Sequence, residues 1–247
     1  NRIPKIQEMI KKNQVIEPLK DFYKDEVRTI GRELKIPAKL LHRRPFPGPG
    51  LGIMILCSQK NIRIPRLALP NNTNILPIKS TGVQGDQRSY AYTGAIWGET
   101  DWNTINTLSI DLTNKNRAIN RAVKALWTKQ GIQKPIQFIH CRNRYITRDR
   151  ITLLQDIHQS INDIIEKYPS SKSIWEFPII LLPIGINNQG QSIVLRPTSS
   201  REVMTLEFSR LPHSIIAQII QTIKKYPQID ALFYDVTNKP PATMQWE

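Results

Sequence analysis

The sequence is poor in cysteine, in glycine relative to proline, in acidic residues and in long apolar runs, and each shortage removes a class of protein. Cys57 and Cys141 are far apart, without CxxC spacing or a nearby histidine pair, so neither a zinc site nor a disulfide framework is expected and both thiols read as reduced. Stretches such as Phe177–Ile186 fall short of the roughly 20 apolar residues that a membrane-spanning helix needs. No glycine-rich segment ends in Gly-Lys-Ser or Gly-Lys-Thr, which excludes a phosphate-binding P-loop. His42, His140, His158 and His213 are scattered, and no serine or cysteine carries a local nucleophile signature, so a hydrolytic triad is excluded as well. The chain opens at Asn1 on a lysine-bearing helical pattern with no signal-peptide succession, and reads as a fragment of a longer cytoplasmic protein.

What remains is a basic, globular composition. Lysine and arginine number 35 against 20 acidic residues, a net charge of +15, and the resulting positive field favours an anionic partner: a phosphate-bearing ligand, a nucleic acid or an acidic protein. Hydrophobic residues at 40% of 247 suffice for one large or two small cores. Eighteen prolines imply a chain punctuated by stiff turns.

Apolar spacing predicts helices over Ile3–Ile10, from Asp21 to before Pro37, and over Ala38–Leu41. The loop Arg43–Gly50, with Pro45, Pro47, Pro49, Gly48 and Gly50, forbids helix and central strand alike and reads as a rigid elbow or a pre-organised ligand surface. Leu51–Leu56 reads as a strand. Leu76–Val83 and Arg88–Trp97 read as a hairpin around Gln84–Gln87, followed by a helix capped by Asp101 and a strand over Arg121–Trp127. Ile151, Leu154, Ile157, Ile161, Ile164 and Ile165 mark the clearest helix, over 149–168. Strands over Trp175–Leu182 and Ser192–Arg196, a helix over Pro212–Tyr226 and a last strand over Ala231–Val236 complete the pattern. Two similar strand–helix–strand halves emerge, an α+β class with sheets covered by helices on one face. The expected organisation is a helical remnant over 1–50, a first subdomain over 51–148 and a second over 149–247.

Two segments carry candidate chemistry. Lys79, Gly82, Gly85, Asp86 and Arg88 place charges beside glycines at a strand turn, where Lys79 or Arg88 can bind phosphate and Asp86 can accept hydrogen bonds from a sugar or base; a charged hairpin tip is the alternative. The C-terminus, Asp235 to Glu247, is stiffened by Pro240-Pro241 and carries an apolar anchor, Trp246, that would be wasted in solvent, so it is expected to fold back. Lys239, following a strand, is then a candidate phosphate donor. Arg142, Arg144, Arg148 and Arg150 with Tyr145 form a basic patch of the kind that contacts RNA, or a solvated face.

Three segments, taken together and in order, resemble the C-terminal part of glutamine-hydrolysing GMP synthase. They are Val15–Leu19 through Lys24–Arg28 with Pro45–Leu51; Pro77–Lys79 through Gly82–Tyr90; and Tyr234-Asp235 through Lys239–Thr243 to Trp246-Glu247. The segment lengths look like the longer, animal-like form, in which the dimerisation region is duplicated. Such enzymes adenylate XMP with Mg2+ and ATP, then let glutamine-derived ammonia displace AMP. The resemblance implies that residues 1–50 close an ATP pyrophosphatase domain, that the remainder dimerises and holds XMP, and that the partners are XMP, a second copy and upstream ATP pyrophosphatase and glutaminase domains, with nucleic acid and membrane not expected. Carried over by motif, Asp86, Glu176, Lys239 and Gln245 would contact XMP, with Lys79, Arg88 and Thr243 as further phosphate or dimer contacts. No metal ligand and no catalytic group is implied within this chain, because the Ser-Gly-Gly-Val-Asp-Ser pyrophosphate loop and the glutaminase residues are not in it.

The chain departs from the family at Arg44, usually histidine; Met54, usually arginine; Ala231, often basic; and Gln245, usually glutamate. An amide can hydrogen-bond a purine but cannot act as a carboxylate. The other two readings are a diverged, non-catalytic dimerisation module and a basic RNA-binding module.

Overall fold

A computed structural model describes residues 3–41, 48, 50–85, 87–168, 174–199 and 205–247. The chain divides into two compact units, Asn1–Arg44 and Pro45–Glu247. Asp86, His42, Arg44, Pro45, Phe46, Pro47 and Pro49 lie outside the described residues, so the elbow is described only at Gly48 and Gly50.

The first unit holds α1 (Pro4–Lys11), α2 (Lys24–Glu33) and α3 (Ala38–Leu41). Pro4 sits at the start of α1, where its missing N–H costs nothing. The second helix starts later than Asp21 suggests. Its cap comes from inside its own first turn, where the Tyr23 backbone N–H donates to Glu26 Oε2 at 2.7 Å. Lys35 then adopts a positive φ of 57° and Pro37 follows, so the helix cannot continue.

The second unit opens with a correction. Leu51–Leu56, expected as a strand, forms the 3-10 turn Gly50–Met54 and then a single parallel bridge from Ile55 to Leu181. Met54, Ile55 and Leu56 are buried in succession, and a short apolar run buried on every side carries no period that separates a strand from a turn. The hairpin and the first crossover follow as expected: β1 (Thr73–Gln84), β2 (Gln87–Ile96), α4 (Trp102–Lys115) and β3 (Ile119–Thr128). Asp101 Oδ1 caps α4, accepting from the N–H groups of Asn103 at 2.8 Å and Thr104 at 3.1 Å. The short strand β4 (Ile139–His140) leads to α5 (Arg148–Glu166), β5 (Ile179–Leu182), β6 (Ile184–Gly185), β7 (Gln191–Leu195), β8 (Thr198–Ser199), β9 (Glu207–Phe208), α6 (His213–Ile223) and β10 (Ile229–Asp235). The strand expected over Trp175–Leu182 is regular only from Ile179; Glu176 makes an isolated bridge to Thr198.

Both halves share one topology and one sheet. Among the described residues the main sheet runs β1-β2-β3-β10-β7-β5. In the first half an antiparallel hairpin, β1/β2, passes through α4 to β3, parallel to β2; in the second, the antiparallel pair β5/β7 passes through α6 to β10, parallel to β7. The halves meet where β3 and β10 pair antiparallel. The α+β class therefore holds, with the two halves fused edge to edge into a single layer.

The period of two along each strand sorts the core into two faces. On one face Ile119, Ile179, Leu181, Ile193, Leu195 and Leu232 pack with Leu112 of α4, Leu154, Ile157 and Ile161 of α5, and Ile219 and Ile223 of α6. Among the described residues no helix contributes to the core of the other face. Val123, Ala125, Val194, Ala231 and Phe233 pack there with Trp97, Phe138 and Trp246. Both edges of the sheet are covered: the Leu56 N–H donates to Leu181 O at 2.9 Å on β5, and β1 donates to the C-terminal segment.

Candidate functional site

The C-terminal segment folds back, as its stiffness and its tryptophan lead one to expect. Thr81 N–H donates to Trp246 O at 2.9 Å, Val83 N–H to Pro241 O at 2.6 Å, and Thr243 Oγ1 to Thr81 O at 2.8 Å. This attachment needs Gly82: a Cβ there would lie 2.8 Å from Pro241 O and 2.7 Å from Asn120 Nδ2. Trp246 is wholly buried.

Beneath that segment lies a cluster that the sequence reading missed. Register sets it up: Asp235 of β10 pairs with Val123, two residues from Arg121 on the same face of β3, while Tyr234 pairs with Leu195, which brings Arg196 alongside Asp235. Arg121 Nη1 lies 2.7 Å and Arg196 Nη1 2.6 Å from Asp235 Oδ2, and Trp246 Nε1 donates to the same oxygen at 3.0 Å. All three charged side chains are 0% exposed. The Arg121 guanidinium also lies over the Trp246 ring, 4.7 Å from its centroid. Burial lowers the pKa of Arg121 to about 10 against the supporting charge of Asp235, with Arg196 adding to the fall. Burial pushes the Asp235 carboxyl up, but the charges of Arg196 and Arg121 and the Thr237 N–H outweigh it and hold the group below its ordinary value. Two guanidiniums thus face one carboxylate. The available signal was a charge inside each apolar strand run, in Asn120-Arg121-Ala122, Leu195-Arg196-Pro197 and Tyr234-Asp235-Val236.

The expected site residues separate into groups around this segment. Lys239 exchanges backbone hydrogen bonds with Leu206, at 2.8 and 3.3 Å. Leu206 leads directly into β9, which pairs with β8, and Thr198 of β8 bridges to Glu176, so one short ladder links the backbones of Lys239 and Glu176. Gln245 contributes its carbonyl to Arg121 Nη2 at 3.1 Å, and its side chain is half-buried. Thr243 serves the attachment to β1. Arg88 is exposed and lines an open cavity of about 700 Å3 with Gly85, Asn114, Arg117, Pro240 and Pro241. The Lys79 ammonium stands 4.8 Å from the Tyr92 ring centroid. Arg88 thus lines a cavity with Pro240 and Pro241, Lys239, Thr243 and Gln245 lie in the segment itself, Glu176 is linked to Lys239 through the β8/β9 ladder, and Lys79 lies two residues from Thr81, to which the segment is bonded.

The basic patch does not hold together. Arg150 is 4% exposed and is spent inside the fold, donating to Gln191 Oε1 at 2.6 Å, Leu56 O at 3.0 Å and Tyr145 O at 3.1 Å. Arg144 donates to the carbonyls of Asn188 and Gln189 at 3.1 and 2.8 Å. Arg142, Arg148 and Tyr145 remain exposed, too few for an extended phosphate track.

Fold and site together define an α+β module of two hairpin–helix–strand repeats on one sheet, which clamps its own C-terminal segment on the helix-free face. Residues 163–246 match the GMP synthase C terminal domain. The whole chain is similar to probable GMP synthase [glutamine-hydrolyzing] of Leptospira interrogans, 37% identical over 100% of the chain and 42% of the relative. It is also similar to probable GMP synthase [glutamine-hydrolyzing] of Caenorhabditis elegans, 28% identical over 98% of the chain and 43% of the relative, and to GMP synthase [glutamine-hydrolyzing] of Bifidobacterium longum, 28% identical over 96% and 30%. The chain spans less than half the length of these curated relatives. Among the described residues no helix is long and apolar enough to cross a membrane.

Proposed function

We propose that this chain is the C-terminal part of a cytoplasmic GMP synthase, the part that holds XMP and pairs with a second copy. In this reading residues 1–50 close an ATP pyrophosphatase domain, and 51–148 and 149–247 form the dimerisation region. The observation that carries the reading is the folded-back segment: Lys239 and Gln245 are presented by a stretch held at fixed geometry, with Glu176 delivered to the same ladder. Lys239 would meet the XMP phosphate as a point charge, and Gln245 and Glu176 would hydrogen-bond the purine or sugar. Arg88, which lines the open cavity with Gly85, would meet the nucleotide there, and Asp86, next to Gly85 in sequence, is the further contact that the resemblance implies.

The chemistry is an ATP-driven amination. The XMP C2 oxygen attacks the α-phosphorus of ATP, expelling pyrophosphate; ammonia from glutamine then adds at C2 and AMP leaves with that oxygen, giving GMP. The Ser-Gly-Gly-Val-Asp-Ser pyrophosphate loop is not in this sequence, so in this reading ATP and Mg2+ are bound mainly by the upstream domain. The role left to this chain is to bind and orient XMP, which raises the effective concentration of the reacting oxygen at the ATP site.

Calorimetric titration of XMP into the intact protein, beside Lys239→Ala, tests the reading. Saturable binding that weakens about ten- to hundredfold on losing the ammonium is expected, the worth of one hydrogen bond to a charged group. A dimer that ignores XMP would overturn it in favour of a non-catalytic dimerisation module, a reading that the amide at Gln245 favours.

A further inference from the structure

Arg121 and Arg196 do more for the C-terminal segment than neutralise Asp235. Arg121 Nη2 donates to the carbonyl oxygens of Gln245 at 3.1 Å, Thr243 at 3.3 Å and Thr81 at 3.0 Å. Arg196 donates from Nε to Met244 O at 3.2 Å, from Nη2 to Thr243 O at 3.0 Å, and from Nη1 to Thr237 O at 3.3 Å. Two guanidiniums, one from β3 and one from the residue that follows β7, therefore grip the carbonyls of residues 237, 243, 244 and 245, on either side of Pro240-Pro241. Those carbonyls lie outside the helices and strands, so the arginines, together with Thr243 Oγ1 on Gln245 O, supply the hydrogen bonds that a helix or sheet ladder would otherwise make. The planar fork of arginine suits this task, because its donors are fixed relative to one another and each one that is satisfied restricts the next.

We propose that Arg121 and Arg196, joined through Asp235, are positioning residues for nucleotide binding: they set the path of residues 237–246 and so the places from which Lys239 and Gln245 act. This rests on the reading of those two residues as XMP contacts. Neither arginine touches the nucleotide in this proposal. The cluster holds two cations and one anion, so removing one arginine leaves a balanced buried pair, whereas removing the carboxylate leaves two unbalanced cations. Arg196→Met is accordingly the variant that keeps the fold and loosens the segment.

The test is made in the natural full-length protein, with two readouts on Arg196→Met, Arg196→Lys and Lys239→Ala. Amide hydrogen exchange at 242–246, compared with exchange in β3 and α5, reports the segment without any ligand. In Arg196→Met it should quicken about tenfold or more while β3 and α5 stay as they were, with Arg196→Lys recovering part of the protection. Steady-state kinetics should show the KM for XMP rising about tenfold with kcat within about twofold and the KM for ATP unmoved. Unchanged exchange in Arg196→Met overturns the proposal, and so does quickened exchange with an unchanged KM for XMP when Lys239→Ala raises that KM. If Lys239→Ala itself leaves the KM for XMP unchanged, the assignment of the nucleotide contacts has failed, and the positioning role falls with it.

Discussion

Arg121 Nη1 and Asp235 Oδ2 lie 2.7 Å apart with both side chains at 0% exposure, on neighbouring strands that come from different halves of the chain. The ion pair therefore ties the two repeats together at the seam where their strands meet, and Trp246 roofs it over. Buried ions are costly to strand. Asp235→Asn leaves two guanidiniums without a counter-charge and should destabilise the protein by about 3–5 kcal/mol, measured by urea denaturation. Because the folded carboxyl lies below its ordinary value, its contribution is present above the unfolded value of about 3.9 and is lost as pH falls through the folded value. The Asn variant should therefore lose less stability than the parent over that acid range, and an unaltered acid limb would contradict this account.

Trp246 fills the helix-free face and holds the segment by its ring as well as by Nε1. Trp246→Ala should cost about 3–5 kcal/mol, the range for large core truncations. Trp246→Phe should cost clearly less, since it keeps a ring under the Arg121 guanidinium while losing the bond to Asp235 and part of the ring's volume. Equal losses from the two variants in parallel denaturation curves would mean that the ring contributes nothing.

Gly82 is where backbone meets backbone. Gly82→Ala drives a methyl into Pro241 O and Asn120, so the C-terminal segment must move off β1. The expected result is a destabilisation of about 1–3 kcal/mol, with weaker XMP binding in calorimetry. Normal binding alongside normal stability would show that the contact is slack.

Lys124 supplies an alkaline signature. Burial lowers its pKa to about 8, against support from the charge of Glu99, and its ammonium donates to Gly98 O. Below about pH 8 the lysine is protonated in both states and the burial penalty applies in full. Between about 8 and 10.5 the unfolded chain binds more protons than the folded one, so this residue's contribution rises with pH. Lys124→Met should remove that rise from a plot of unfolding free energy against pH; a slope that persists would assign it to another group.

Much of the architecture was written locally. The 151–165 apolar spacing dictates α5, Asp101 and the spacing after it dictate α4, and Gln84 to Gln87 dictate the hairpin, because each rests on interactions within a few residues of chain. Leu51–Leu56 misled for the complementary reason: its residues are apolar because they are buried by partners far away in sequence, such as Leu181. The fold-back of the C-terminus was legible in Trp246 and Pro240-Pro241, which have no use in solvent.

What the sequence alone determined is the main helices and the long strands, their order, the positive field and the motifs of the family. Tertiary structure decided that both halves join one sheet, that Arg150 is an internal strut, and that Arg121, Arg196 and Asp235 converge under residues 237–246. The physical reason is strand register. Residues more than a hundred positions apart become neighbours only when β3 and β10 pair in one alignment, and a shift by a single residue would turn Arg121 to the helix face.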